Sequence, residues 1–230
     1  MKELKNKWLG LLIAIFIFIL WLTHLIYSLL FVRVDFASIS IYIHILIQSY
    51  LYTGLFITAH DAMHNVVFPN HKVNLMVGSI ATFLFAGMSF KRLVKNHRNH
   101  HNFPGTKDDP DFCEKSQNPF IWFLTFMYRY TTISQLVVMA ILYNLFKLVS
   151  PEINIILFWV LPAFVGAFQL FFFGTYLPHR KPHTEEMFPY NSRTLKKNHF
   201  LAMLSCYFFG YHWEHHDKPN VPWWRLYETK

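Results

Sequence analysis

The stretch from Phe36 to His64, FASISIYIHILIQSYLYTGLFITAHDAMH, decides the architecture. Through Ala59 it runs 24 residues without a formal charge, interrupted only by His44 and Gln48. About 20 such residues suffice for a helix to cross the hydrocarbon core of a bilayer. The last five, His60-Asp61-Ala62-Met63-His64, set two imidazoles four residues apart, and therefore on one helix face. A span ending in paired nitrogen donors predicts a helical membrane protein with its chemistry at the membrane edge.

Upstream, Trp8 to Val32 is a second uncharged run, 25 residues long, which as a helix would reach roughly 37 Å. It is too long for the apolar core of a signal peptide, and no small-residue cleavage site ends it, so it reads as a retained anchor. Arg33-Val34-Asp35 turns the chain between the two runs, making a helical hairpin. Downstream, Thr131 to Val149 can just cross a bilayer, Ser150-Pro151-Glu152 makes a turn, and Ile153 to Leu177 is another long apolar run. Val73 to Phe90 is apolar but only 18 residues long and rich in small side chains. The expected fold is an all-α integral membrane protein, residues 1–230 forming a single domain. Two transmembrane hairpins, about four spans, would carry a polar, histidine-rich di-metal cap.

Composition agrees with that class. The chain is 53% hydrophobic, 19% aromatic and only 15% charged, with charges gathered between the apolar runs. The net charge of +8 does not signal nucleic acid, because the lysines and arginines flank hydrophobic segments and form no basic stripe. Their distribution orients the chain. Three lie in residues 1–7, seven in residues 60–118 and eight in residues 178–230, so 18 of 21 fall on one side, which is the cytoplasmic side. Full crossing by Val73 to Phe90 would carry Lys91, Arg92, Lys95 and Arg98 outward, so that segment is expected to lie in the interface or re-enter. Cys113 and Cys206 stand in unrelated contexts with no CxxC pair, and are expected to be reduced cytoplasmic thiols.

Eight of the 14 histidines fall in three clusters: His60 and His64; His97, His100 and His101; His212, His215 and His216. Each cluster can aim two or three imidazoles at one point when helical. A lone HxxxH is weak, but three clusters on one membrane face are hard to explain structurally, since histidine near hydrocarbon is costly unless paired or coordinated. Eight nitrogens exceed the four that a tetrahedral zinc site takes. Two metals with several imidazoles each and an open position fit better, and nitrogen-rich iron sites of that kind activate dioxygen. Histidines outside the clusters read more simply: His24 and His44 as packing within spans, His71, His183 and His199 as polar surface. Trp223 and Trp224 read as interfacial anchors.

Several motifs go beyond the histidines. His60 to His64 resembles the first box of bacterial-type β-carotene ketolases, members of the membrane fatty-acid-desaturase-like superfamily. His97-Arg98-Asn99-His100-His101-Asn102-Phe103-Pro104-Gly105-Thr106, with Asp109-Pro110-Asp111-Phe112, is similar to their second box. Phe173-Gly174-Thr175-Tyr176-Leu177-Pro178-His179-Arg180 resembles a further ketolase signature. Tyr211-His212-Trp213-Glu214-His215-His216, with Pro222-Trp223-Trp224-Arg225-Leu226, resembles the third box. The resemblance covers about residues 50–226 in order. Asn65 stands where a glycine commonly follows the first box, and the tail after Leu226 is short.

The resemblance implies a non-haem centre of two iron ions, dioxygen as co-substrate and electrons from a ferredoxin-type donor. The reaction it implies is double oxidation of C4 on a β-ionone ring, the geminal diol dehydrating to a ketone. It also implies a ninth metal-ligating histidine after the fourth span, a position His179 matches, and a multi-pass protein of a bacterial plasma membrane with a cytoplasmic active site. Asp61, Asp111 and Glu214 are candidates to accept hydrogen bonds from ligand ring N–H groups, beside the plainer reading as caps or ion-pair partners. A membrane fatty-acid desaturase or hydroxylase is the nearest alternative. A histidine-rich metal transporter is the alternative of another class, and would spread its ligands through the spans.

Overall fold

The computed structural model describes residues 2–230, with side chains from residue 7, and is helical throughout with no strand among the described residues. Lys2 and Lys5, counted above for orientation, have side chains outside that range. Helix α1 (Lys2–Leu30) buries Ala14, Ile17, Trp21, Leu25 and Leu29, a stripe at three- and four-residue spacing. Its opposite face is equally apolar yet bare, with Leu12, Phe16 and Ile19 each more than half exposed. A helix apolar all round, with one face unpartnered, suits a lipid environment.

Helix α2 (Ile39–Met63) starts at a Ser38 cap and is buried almost continuously from Gln48 onward, so it is the central post of the bundle. The outer end of α1 is fastened to the later chain. The Asn154 amide donates to the Ser28 and Val32 carbonyls at 3.0 and 2.8 Å, and the Ser150 hydroxyl donates to the Leu29 carbonyl at 2.8 Å. The Ser28 and Leu29 carbonyls belong to the last turn of α1, which the end of a helix leaves without partners.

Helix α3 (His71–Ala86) packs along α2 and stops at Gly87, whose φ of +63° suits the left-handed cap. After a 99° bend, α4 (Phe90–Asn102) continues across the bundle end. This is the short segment expected to re-enter; the bend turns α4 so that its three histidines come back under α2.

Helix α5 (Pro119–Tyr130) begins with Pro119 at its first position and an Asn118 cap. Helix α6 (Ile133–Phe146) is 14 residues, about 21 Å by helical rise. The expected third span, Thr131 to Val149, is therefore shorter than hydrocarbon thickness, because Thr132 caps it late and the chain leaves helical form before Pro151. Helix α7 (Glu152–His179) is 28 residues long, with two wider π-helical turns at Ile156–Val160 and Phe172–Tyr176. Three helices are thus long and apolar enough to cross a membrane, or four if the bent α3–α4 pair counts as one. Short helices α8 (His199–Cys206) and α9 (His212–Asp217) close the end of the bundle where α2, α4 and α7 meet.

Candidate metal centre

Four elements deliver histidines to one place: the end of α2, the face of α4, the end of α7 and the short α9. His60, His64, His97, His101 and His215 form one group, with a ring nitrogen of each within 4.8 Å of all the others. His100, His179, His212 and His216 form a second group by the same measure. Helical geometry makes the division. Pairs four apart stay together (60 with 64, 97 with 101, 212 with 216), while His100 and His215, three residues from a neighbour, cross to the other group. All nine predicted histidines, His179 included, lie in one of the two groups.

The nitrogens are spaced as ligands would be. His60 Nε2 lies 3.1 Å from His215 Nε2, and His101 Nε2 lies 3.0 Å from that same atom. One proton cannot serve both contacts. At imidazole–metal distances of roughly 2.0–2.1 Å, two nitrogens at a right angle would sit about 2.9 Å apart. In the second group, His100 Nε2 is 3.4 Å from His212 Nε2, and the Nε2 atoms of His179 and His216 are buried with no hydrogen-bond partner. Orphaned lone pairs in a buried, nitrogen-only pocket fit a metal and fit little else. Burial first, then the neighbouring rings, holds His212, His215 and His216 well below the usual imidazole range. They are neutral, as a ligand must be.

The outer nitrogens of two rings are fixed by acceptors. His179 Nδ1 donates to the Asn191 carbonyl at 3.0 Å, which leaves Nε2 as its lone pair. His100 Nδ1 lies 3.0 Å from both carboxylate oxygens of Asp109. Asp109 is held in turn by the N–H groups of Gly105 and Asp111, both at 2.8 Å. Gly105 takes φ +67°, so this turn requires its glycine. Burial disfavours the charge of Asp109, but the His100 ring beside it and these donors bring its carboxyl below the usual range.

The acids expected to orient the rings are placed differently. Asp111 is 3.8 Å from His100 Nδ1 and instead accepts from the Tyr130 hydroxyl, while burial pushes its carboxyl up to about 6. Asp61 lies 3.5 Å from His60 Nδ1, and its hydrogen bond comes from the Trp223 N–H at 3.1 Å. Glu214 pairs with Lys230 at 2.8 Å and orients no ring. Asp109, missed in the sequence, was visible only as one of two aspartates beside a proline. The Asn191 carbonyl carried no sequence signal at all. Trp223, expected as an interfacial anchor, is tied to α2 through Asp61. His24 and His44 meet inside the bundle at 3.1 Å, and Gln48 accepts from His24. Both cysteines are buried free thiols.

A cavity of about 550 Å³ opens from the histidines into the bundle. His60, His97, His100 and His212 stand at its inner end, and its walls are mostly apolar side chains of α2, α3, α5, α6 and α7, with a few polar ones such as Gln135 and Thr175. Along α7 the lining runs from Trp159 to Thr175, about 24 Å by helical rise.

Fold and site together define an apolar helical bundle with a buried, nitrogen-only candidate metal centre at one end. The family described as fatty acid desaturase matches residues 37–150 and 128–230. A zeaxanthin 4-ketolase of Chlamydomonas reinhardtii is 38% identical over 94% of this chain and 52% of its own length. Two beta-carotene ketolases of Paracoccus sp. are 37% identical (strain PC1; 79% of this chain, 76% of the relative) and 35% identical (strain N81106 / MBIC 01143; 91% and 87%). The chain belongs to the fatty acid desaturase family and, within it, to the beta-carotene ketolases. It spans about half the length of the Chlamydomonas relative. No solved structure matches it.

Proposed function

We propose that this protein is a membrane-embedded carotenoid 4-ketolase that oxidises the C4 methylene of a β-ionone ring to a ketone. The observation that carries the reading is the position of the two histidine groups at the inner end of a long apolar cavity. His60, His64, His97, His101 and His215 would hold one iron ion, and His100, His179, His212 and His216 the other. When bound, that pair supplies the activation of dioxygen, with electrons from a ferredoxin-type donor. The protein's own part is positional. The cavity walls align an extended, apolar substrate with its ring against the histidines, and exclude water from that end. Asp109 and the Asn191 carbonyl hold the His100 and His179 rings in the tautomer that points Nε2 inward.

The bare apolar faces of α1, α2 and α7 support insertion in a bilayer. The clustering of lysine and arginine around the histidine end supports a cytoplasmic active site in a bacterial plasma membrane. Residues 1–230 act as one domain in this reading, because the ligands come from near both ends of the chain.

Expression in a bacterium that makes β-carotene tests the proposal. Red-shifted keto-carotenoids are expected under aerobic, iron-replete growth. Unchanged pigments, with altered acyl-chain unsaturation instead, would move the protein to the desaturases.

A further inference from the structure

Three of the buried threonines close their hydroxyls onto the carbonyl four residues back: Thr53 on Ser49, Thr58 on Gly54 and Thr82 on Gly78, at 3.2, 2.8 and 2.9 Å. This is the usual way for a threonine to be satisfied inside an apolar helix. Thr175 is the exception. It is only 6% exposed, makes no side-chain hydrogen bond among the described residues, and turns toward the cavity. It lies in the second π turn of α7, where the Leu177 N–H reaches five residues back to the Phe172 carbonyl. Such single wide turns recur at functional sites. Thr175 lines the cavity, and four residues on stands His179, whose Nε2 faces the metal pocket. A hydroxyl with no protein partner is thus open to a mostly apolar cavity, one turn from the candidate centre, where a polar group on a bound molecule can pair with it.

We infer that Thr175 holds the hydroxyl of the half-oxidised intermediate, so that the same carbon is oxidised a second time before release. The inference rests on the ketolase reading. In the first round one C4–H bond becomes C–OH. One atom of dioxygen enters the ring and the other leaves as water, using two electrons and two protons from the ferredoxin-type donor. The second round repeats this on the remaining C4–H, and the resulting diol loses water to give C=O. An alcohol among the apolar side chains that dominate this cavity has little to keep it there or to fix its orientation. A hydrogen bond to Thr175 supplies one. Thr175 is thereby a positioning residue, and its loss turns the enzyme toward a hydroxylase.

The test is the ratio of 4-hydroxy to 4-keto carotenoid in β-carotene-producing cells. Thr175→Val is expected to raise it roughly tenfold, the equivalent of about 1.4 kcal/mol, and Thr175→Ser to restore it. The ratio is read within one sample, so enzyme amount cancels. An unchanged ratio in Thr175→Val overturns the inference, as does a shift produced instead by Gln135→Leu, since the Gln135 Oε1 is a buried, unpartnered atom on the cavity wall. Should Thr175→Val yield too little pigment to measure, binding to the wild-type holoenzyme decides. 4-Hydroxy-β-carotene is expected to quench tryptophan fluorescence at several-fold lower concentration than β-carotene, and equal or weaker binding overturns the inference. No oxygenated carotenoid from wild-type cells would sink the ketolase reading itself, whereas ketone from the wild type with an unmoved variant ratio sinks this inference alone.

Discussion

Asp109 grips His100 with both carboxylate oxygens, each 3.0 Å from Nδ1, while Asp111, two residues on, does not reach it. The pair couples the loop after α4 to the second histidine group. Asp109→Asn keeps the shape but loses the charge that raises the basicity of the ring. It is expected to lower metal affinity or product formation by about 10–100-fold. Asp111→Asn should do much less. Metal content by mass spectrometry, with pigment yield beside it, checks both.

Removing one histidine should unload the group to which it belongs. His101→Ala or His215→Ala is expected to abolish product while the protein still inserts, leaving about one iron per chain. His179→Ala should spare the first group in the same way. Loss of both irons from each variant would mean that the two groups are not separable.

Acidity should unfold the metal-free protein early. The pKa values of His212, His215 and His216 lie below the ordinary 6.5 in the folded state. Above about pH 6.5 both states leave these rings neutral, and stability is indifferent to them. Below it the unfolded chain takes up protons that the folded rings refuse, so stability falls as pH falls. Thermal midpoints of the chelated protein in detergent are expected to drop between about pH 7 and pH 5.5. A flat profile would show that the rings take up protons as readily in the folded state as in the unfolded one.

Close approach near the start of α1 gives a stability test away from the histidines. A Cβ on Gly10 would lie 2.4 Å from the Val67 carbonyl oxygen and 2.7 Å from the Trp224 ring. Gly10→Ala must push α1 off the loop after α2, at a cost of about 1–3 kcal/mol. A lowered melting temperature in detergent, with activity retained at low temperature, is the expected result.

Orientation can be read with an impermeant thiol reagent on intact cells, because both native cysteines are buried. Ala37→Cys, in the α1–α2 turn, is expected to label, and Lys115→Cys, in the loop after α4, is not. The reverse pattern would place the histidines outside.

Much of this protein is legible from its residues in order. Uncharged runs of 24 and 25 residues are long and apolar enough to cross a bilayer as helices, the form that satisfies every backbone N–H and C=O group within the segment. HxxxH and HxxHH spacings project imidazoles from one helix face whatever surrounds them. Those are local consequences of helical period and solvent. Tertiary structure alone decided the rest. Spacing sorts the histidines within each helix, but which helix ends share a group, and that His179 joins the second, depends on how four elements meet. The choice of Asp109 over Asp111 depends on a left-handed Gly105 and a loop pinned by Tyr130. The shortness of α6, the 99° bend between α3 and α4, and the free hydroxyl of Thr175 on a wide turn all arise from packing. Local sequence sets which groups a segment can present. Only the contacts between distant segments determine which of them remain unsatisfied, and so available for chemistry.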